Sequence, residues 1–317
     1  MRIFVAGHNG MVGRAIVKEL EIQKRNYKNL SFITIEKENL DLTVQNQVQD
    51  FFNREDFDSL VICAAKVGGI YANSNFSADF LYQNLMIQSN LIHESFRKKI
   101  KKILFLGSSC IYPKYSMQPI KEEYLLDGKL EETNEAYAIA KIAGIKMCEN
   151  YNKQYNCDFR SVMPTNLYGH FDNFDENTSH VIPALINRFH KAKVENKETV
   201  EVWGSGEARR DFLNVNDMAS ASVHIFMMEK EIYDKNVKPD CSHINIGSGT
   251  DISIAEIACL VKEIVGFKGD LKFNTNKLEG TPRKLLDTTR LKNLGWQPQI
   301  NLKEGIKSTY KWYLDNL

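Results

Sequence analysis

Tyr137-Ala138-Ile139-Ala140-Lys141 sets a phenol and an ammonium four residues apart, in a run from Ala138 to Ala143 that reads as a helix. Residues four apart on a helix share a face, so Tyr137 and Lys141 point the same way. A nearby cation favours the phenolate and lowers a phenol's pKa. A phenol tuned in this way can pass a proton near neutral pH. The spacing alone also describes a half-buried helix face, and the elements around it have to decide.

The first of these is Gly7-His8-Asn9-Gly10-Met11-Val12-Gly13, set between an apolar strand, Arg2 to Ala6, and an amphipathic helix reaching about Leu20. Strand, glycine loop and helix in that order mark a dinucleotide cradle. Gly7 permits the tight turn, Gly10 lets a pyrophosphate approach the backbone, and Gly13 lets the helix pack on the strand. Free amides at the helix start, at Met11 and Val12, face the phosphates. A second strand, Ser31 to Glu36, ends beside the adenosine ribose. Glu36 can accept from a free 2′-hydroxyl, which fits NAD(H), while Arg14 and Lys37 can neutralise a 2′-phosphate, which fits NADP(H); both stay open. Asp41 and Leu42 are placed to meet the adenine edge.

An apolar strand, Ser59 to Ala65, runs into Lys66-Val67-Gly68-Gly69, where Ala64 and Ala65 are small enough to let backbone approach the cofactor. A helix over Phe76 to Phe96 carries Asn84, Asn90 and His93, the last read as a packing residue. The strand Lys102 to Leu106 opens into Gly107-Ser108-Ser109-Cys110-Ile111-Tyr112-Pro113, and the Tyr137 helix follows. This alternation predicts an α/β fold, a doubly wound parallel sheet (Rossmann) over residues 1–167 with ligands at the carboxyl ends of its strands, where Ser108 and Tyr137 both fall. After a strand over Arg160 to Met163, the turn Pro164-Thr165-Asn166-Leu167-Tyr168-Gly169 leaves for a smaller mixed α/β substrate domain, 168–317, with some segments returning to the main sheet. It holds a polar loop over 170–178, a helix starting near Pro183, a Trp203-Gly204-Ser205-Gly206 turn, and strands around 212–215 and 243–246.

A net charge of +1 gives no support for a polyanion-binding surface, so no nucleic-acid partner is expected. The basic run from Arg97 to Lys102 suits a solvated helix C-terminus. No apolar run approaches the length of a membrane span, and the chain enters its first strand directly, so neither a membrane nor a targeting segment is expected. The six cysteines lack metal-ligand spacing; no metal is expected, and a reducing cytoplasm suits them.

Together, the three glycines, Ser108 after a later strand, and Tyr137 with Lys141 resemble the extended short-chain dehydrogenase/reductase family. Ala65 to Ile70, Leu106 to Pro113, Ala138 to Gly144, Met163 to Gly169, Ser179 to Ala184 and Gly280 to Lys284 are similar to the GDP-L-fucose synthase family, over essentially the whole chain. That resemblance implies epimerisation of GDP-4-keto-6-deoxy-D-mannose at C3 and C5 and reduction at C4 by NADPH. It implies that Lys141 holds the nicotinamide ribose and tunes Tyr137, that Tyr137 moves the proton of the sugar oxygen, and that Ser108 hydrogen-bonds the same oxygen. Cys110 is implied as base and His180 as acid, since a C4 ketone acidifies the C3 and C5 protons and inversion needs a group on each face. The nicotinamide end is implied to meet Pro164, Asn166, Leu167 and His180. The GDP-sugar is implied to meet Ser109, Asn166, Arg188, Trp203, Arg210 and Lys284, and a homodimer is implied through the Tyr137 helix and the long helix before it.

Asn9 stands where the family carries an arginine toward the adenosine phosphate, and His170-Phe171 and Glu207-Ala208-Arg209 also depart from its pattern. A C4 reductase without epimerase activity, acting on a hexose or a heptose, therefore stays open. So does a non-catalytic NADP-sensing protein, against which Ser108, Tyr137 and Lys141 all speak.

Overall fold

Along β1 (Arg2–Ala6), Ile3 and Val5 face one side of a sheet and Phe4 and Ala6 the other, the period of two that a strand imposes. The computed structural model describes residues 1–176, 178–277 and 280–317, the side chains of residues 70 and 71 apart. After β1 come α1 (Met11–Gln23), β2 (Ser31–Ile33), α2 (Gln45–Arg54), β3 (Ser59–Ile62), α3 (Ile70–Asn75), α4 (Ser77–Arg97), β4 (Lys102–Leu106), α5 (Glu135–Tyr155), β5 (Phe159–Pro164) and β6 (Asn166–Tyr168). The chain continues through α6 (Val181–Val194), β7 (Thr199–Trp203), β8 (Arg209–Arg210), β9 (Phe212–Asn214), α7 (Val215–Met227), α8 (Lys230–Asn236) and β10 (Ile244–Ile246). It ends with β11 (Ile252–Ser253), α9 (Ile254–Val265), β12 (Asp270–Asn274), β13 (Arg283–Lys284), α10 (Thr289–Asn293) and α11 (Leu302–Asp315).

Strands β2-β1-β3-β4-β5-β10 form one sheet in that order, every pair parallel. Chain order reverses at β1, whose neighbours are β2 and β3, and such a switch point opens a ligand crevice beyond the carboxyl ends. On one face Ile16, Leu20, Met218 and Ile225 cover Ile3, Val5, Val61 and Leu104. On the other, Phe51, Leu91, Ile142 and Ile145 cover Phe4, Leu60, Ile103 and Phe105. Each such buried side chain contributes ~1.5–3 kcal/mol, so these rows fix the frame on which the loops are mounted. A third cluster, including Ile186, Phe189, Ile257, Val261 and Ile306, joins α6, α9 and α11.

Two strands end sooner than their apolar runs. β2 stops at Ile33, opposite Phe4, and β3 at Ile62, which lies between Ala6 of β1 and Phe105 of β4. Glu36 thus sits on a loop. The 164–169 segment is more than an exit turn, since β6 pairs in parallel with β9. Beyond residue 168 the chain comes back twice: α7 packs on α1, and β10 pairs with β5 at the sheet edge. No helix among the described residues is long and apolar enough to cross a membrane.

Candidate active site

The glycine loop fits a dinucleotide by its own packing. Gly7 has φ +85°, and a Cβ there would lie 2.5 Å from the Ala64 amide nitrogen; one on Gly13 would lie 2.1 Å from the Gly7 carbonyl oxygen. These two contacts clamp β1, β3 and α1 together. Gly10 differs: a Cβ on it would meet nothing nearer than 3.8 Å, so protein packing does not require glycine there, and the gap is the open ground a phosphate needs. Met11 and Val12 begin α1 beside it.

Two asparagines of α4 hold the flanking loops. Asn84 Oδ1 accepts from Lys66 N at 2.9 Å and its Nδ2 donates to Lys66 O at 3.0 Å, fixing the backbone after Ala64 and Ala65. Asn90 Nδ2 donates to Leu42 O at 2.9 Å. Asp41 is occupied locally, its Oδ1 accepting from Thr43 N and Oγ1. These roles of Asn84 and Asn90 escaped the sequence reading; the available signal was a buried amide on an otherwise apolar helix face. His93 is exposed, with its Nδ1 2.7 Å from Tyr151 Oη. At the ribose end, Glu36 and Lys37 are exposed. Pro164 ends β5 opposite Ile246, and Leu167 packs toward the core beneath α1 and α7. Asn166 Nδ2 donates to Asp211 O at 2.8 Å, so part of its amide is already committed.

Gly144 brings the reactive helix to the sheet. A Cβ there would lie 2.4 Å from the Phe105 ring, so only glycine lets α5 lie this close to β4. Lys141 Nζ then reaches Leu106 O at 2.8 Å and sits 5.8 Å from the Tyr137 ring centroid. Ser108 caps the short 3-10 turn Ser109–Ile111, its Oγ accepting from Cys110 N at 3.4 Å, and also hydrogen-bonds the Tyr137 phenol.

The tuning of Tyr137 differs from the sequence expectation. Burial, and after it the neighbouring Cys110, raise the phenol's pKa, which only the Ser108 hydrogen bond lowers. Lys141 donates to the Leu106 carbonyl and lies 5.8 Å from the Tyr137 ring centroid, and burial outweighs the lowering that the spacing predicts. Lys141 itself is pushed down to about 8 by burial, with Cys110 and Cys63 acting in the opposite sense.

That shift has a stability consequence. Between about pH 8 and the ~10.4 of an unfolded lysine, the unfolded chain binds the extra proton, so this group makes stability rise with pH there. At pH 7 the buried ammonium costs about 3 kcal/mol, and replacing it forfeits a bond to Leu106 worth about 1.5–3 kcal/mol. Lys141→Met should therefore stabilise the ligand-free protein at pH 7 by about 1 kcal/mol in a urea melt and flatten the rise between pH 8 and 10. A variant less stable than the parent would show the ammonium to be net stabilising at rest.

Cys110 lies in a narrow recess with Ser109, Tyr112, Glu131, Asn134, Thr281 and Lys284. Burial raises its thiol pKa; the Lys284 ammonium is the largest influence in the other direction. Lys284 is lowered to about 8, by burial first, with Cys110 holding it up and Arg210 pressing it down. Strand pairing explains the placement: β13 lies beside β8 with Lys284 opposite Arg210, and Ile120 N donates to Leu285 O at 2.7 Å, lacing this strand to the loop below Cys110. Glu131, 6% exposed and ion-paired to Lys114 at 2.8 Å, completes the wall; a polar turn before a helix gave no sequence signal for it.

His180 caps the start of α6, and Gly69 N donates to Thr178 O at 3.1 Å, stitching that loop to the carboxyl edge of the sheet. The residue is exposed, and desolvation by the surrounding protein and then Lys284 lower its pKa. Lys284 thus acts electrostatically on both members of the expected acid–base pair. Farther along α6, the Arg188 guanidinium stacks 4.3 Å over Trp203, with Lys277 5.1 Å from the same ring, while Trp203 stays exposed. Arg210 donates to the carbonyls of Arg209 and Pro282. All six cysteines are free, and no cluster among the described residues could hold a metal.

A family model described as the NAD dependent epimerase/dehydratase family matches residues 3–247. The chain is 52% identical over 315 residues to a GDP-L-fucose synthase of Escherichia coli (strain K12), covering 99% of this chain and 97% of that one. It is 50% identical over 316 residues to a GDP-L-fucose synthase of Sinorhizobium fredii, covering 100% and 96%. Among solved structures it resembles a GDP-6-OMe-4-keto-L-xylo-heptose reductase from C. jejuni, with TM-score 0.93, 38% identity, and 100% and 98% of the two chains covered. It also resembles a GDP-mannoheptose C4 reductase from Campylobacter jejuni with NADP bound, with TM-score 0.88, 41% identity, and 99% and 98% covered. With a glycine cradle at the switch point of a parallel sheet and full-length relatives of this similarity, the chain belongs to the NAD dependent epimerase/dehydratase family and, within it, to the GDP-L-fucose synthase group.

Proposed function

We propose that this protein is an NADPH-dependent enzyme that epimerises a GDP-4-keto-6-deoxy sugar at C3 and C5 and reduces it at C4. The observation that carries the reading is the convergence of Ser108, Tyr137 and Lys141 with Cys110, Lys284 and His180 at one end of the sheet, beside a glycine cradle. Bound NADPH supplies the hydride that C4 receives. Ser108 and Tyr137 hydrogen-bond the C4 oxygen, first as a ketone whose polarisation acidifies C3–H and C5–H, then as the oxygen that takes the Tyr137 proton. The high pKa of Tyr137 at rest keeps that proton in place until the oxygen becomes basic. Cys110 removes the C3 and C5 protons, and His180 delivers protons to the opposite face. Lys284 favours the thiolate that the first step needs.

NADP is present in one of the structural relatives, and NADPH in a related GDP-D-glycero-L-gluco-heptose synthase 39% identical to this chain. Residues 1–167 form the cofactor part in this reading, and 168–317 the substrate part, which lends α7 and β10 to the sheet. Arg210 and Lys284 receive the diphosphate. Arg188, ~12 Å along α6 from His180 by helical rise, takes the nucleotide side with Trp203. The enzyme is a homodimer joined through α4 and α5, whose outer surfaces expose Tyr82, Ile139 and Tyr155; sedimentation at low micromolar concentration should give twice the chain mass, and a monomer would defeat this. It works in the cytoplasm, where six free thiols persist, and recovery from a membrane or secreted fraction would contradict that.

The test is a reaction in D2O with GDP-4-keto-6-deoxy-D-mannose and NADPH, read by NMR. Deuterium at C3 and C5 of a GDP-L-fucose product is expected. A second reading, C4 reduction alone, is favoured by one observation: at rest both members of the epimerising pair are biased toward their neutral forms, the thiol by burial and the imidazole by partial desolvation and Lys284. Reduction without deuterium would select it.

A further inference from the structure

The ribose end of the cradle carries a hydrogen-bonded cluster that the reaction does not use. His8 and Asn9, from the loop after β1, both turn onto Glu36, which follows β2. Asn9 Nδ2 donates to Glu36 Oε2, and His8 Nε2 lies 3.2 Å from Oε1. The Glu36 side chain is still 52% exposed, so its carboxylate is oriented and open at the mouth of the cradle. The arginine that could meet a 2′-phosphate is engaged: Arg14 Nε donates to Asn9 O at 2.9 Å, and its guanidinium lies 4.6 Å over the Phe171 ring.

We propose that Glu36, positioned by Asn9 and His8, makes this cradle accept the unphosphorylated cofactor, NADH, about as well as NADPH. A carboxylate accepts a hydrogen bond from a ribose 2′-hydroxyl, whereas a 2′-phosphate in the same place brings like charge against like. Asn9 matters twice. Its side-chain amide fixes Glu36, and its backbone carbonyl accepts from Arg14, whose guanidinium lies over Phe171. A phosphorylated cofactor is served when Arg14 leaves that ring, which gives up contacts that NADH binding keeps, or when the exposed Lys37 folds over the ribose. The proposal rests on the dinucleotide reading of this cradle and refines which dinucleotide it takes.

The experiment is a fluorescence titration of NADH and NADPH into the intact protein without sugar, so that cofactor choice is read apart from turnover. Dissociation constants within tenfold of each other are expected. Glu36→Ala, a change at an exposed loop position, should weaken NADH at least tenfold while leaving NADPH unchanged or tighter. Asn9→Arg should tilt the ratio toward NADPH by tenfold or more. NADPH binding more than tenfold tighter than NADH in the parent protein, or Glu36→Ala moving both cofactors by the same factor, would overturn the proposal and leave the reductase reading standing. Binding of neither cofactor would overturn both.

Discussion

Tyr137→Phe should leave a folded protein that binds cofactor but reduces the keto sugar ~10²–10⁴-fold more slowly, the range that a positioned general acid contributes. The substitution removes one oxygen. The ring keeps its edge-on contact with Phe80, 6.3 Å between centroids, and its place beside Lys141, so packing is preserved. What disappears is the proton for the C4 oxygen and the partner of Ser108. Stopped-time assays of NADPH consumption, with cofactor titration as the control for folding, separate the outcomes. Reduction at the parent rate would remove the phenol from the chemistry altogether, and a parent protein that binds cofactor without turning over any GDP-keto sugar would make the chain a sensor.

Cys110→Ser carries the second large effect. Its hydroxyl fits the space of the thiol, which is 8% exposed, but its much higher pKa makes it a poor base even beside Lys284. Formation of the L-fuco product from the mannose-derived ketone, and deuterium uptake at C3 and C5, should each fall ~10²–10⁴-fold. Reduction of a ketone that already has the product configuration should stay within a few-fold of the parent, because Ser108, Tyr137 and Lys141 are untouched. Undiminished exchange would take Cys110 out of the epimerisation. Equal loss of both activities would mean that the substitution disturbs the Ser108 turn, since Ser108 Oγ accepts from the backbone of residue 110.

The two variants also ask whether one oxygen site serves both half-reactions. An enolate formed at C3 or C5 places negative charge on the same C4 oxygen that later takes a proton, so Ser108 and Tyr137 should matter to exchange as well as to reduction. Tyr137→Phe should therefore slow deuterium uptake too, whereas Cys110→Ser should spare the hydride step.

Much of this protein was determined by local sequence. The alternation in β1, the near-continuous apolar run of β4 and the helical spacing of α4 and α5 fixed the parallel sheet, because each is a periodicity that one element carries by itself. Gly7, Gly10 and Gly13 marked the cradle because strand, loop and helix are contiguous, and Tyr137 and Lys141 declared a shared face because helix geometry relates residues four apart. The tertiary structure decided the rest. The pKa of Tyr137 moves up where the spacing pointed down, since burial depends on what covers a ring and outweighs the neighbouring cation. Lys284 stands over Cys110 through the pairing of β13 with β8, His180 reaches the sheet through the bond between Gly69 and Thr178, and Asn9 finds Glu36 across a loop. These are contacts between residues far apart in the chain, and no periodicity or spacing carries them: they exist only once packing has set distance and solvent exposure, the two quantities on which charge, acidity and specificity depend.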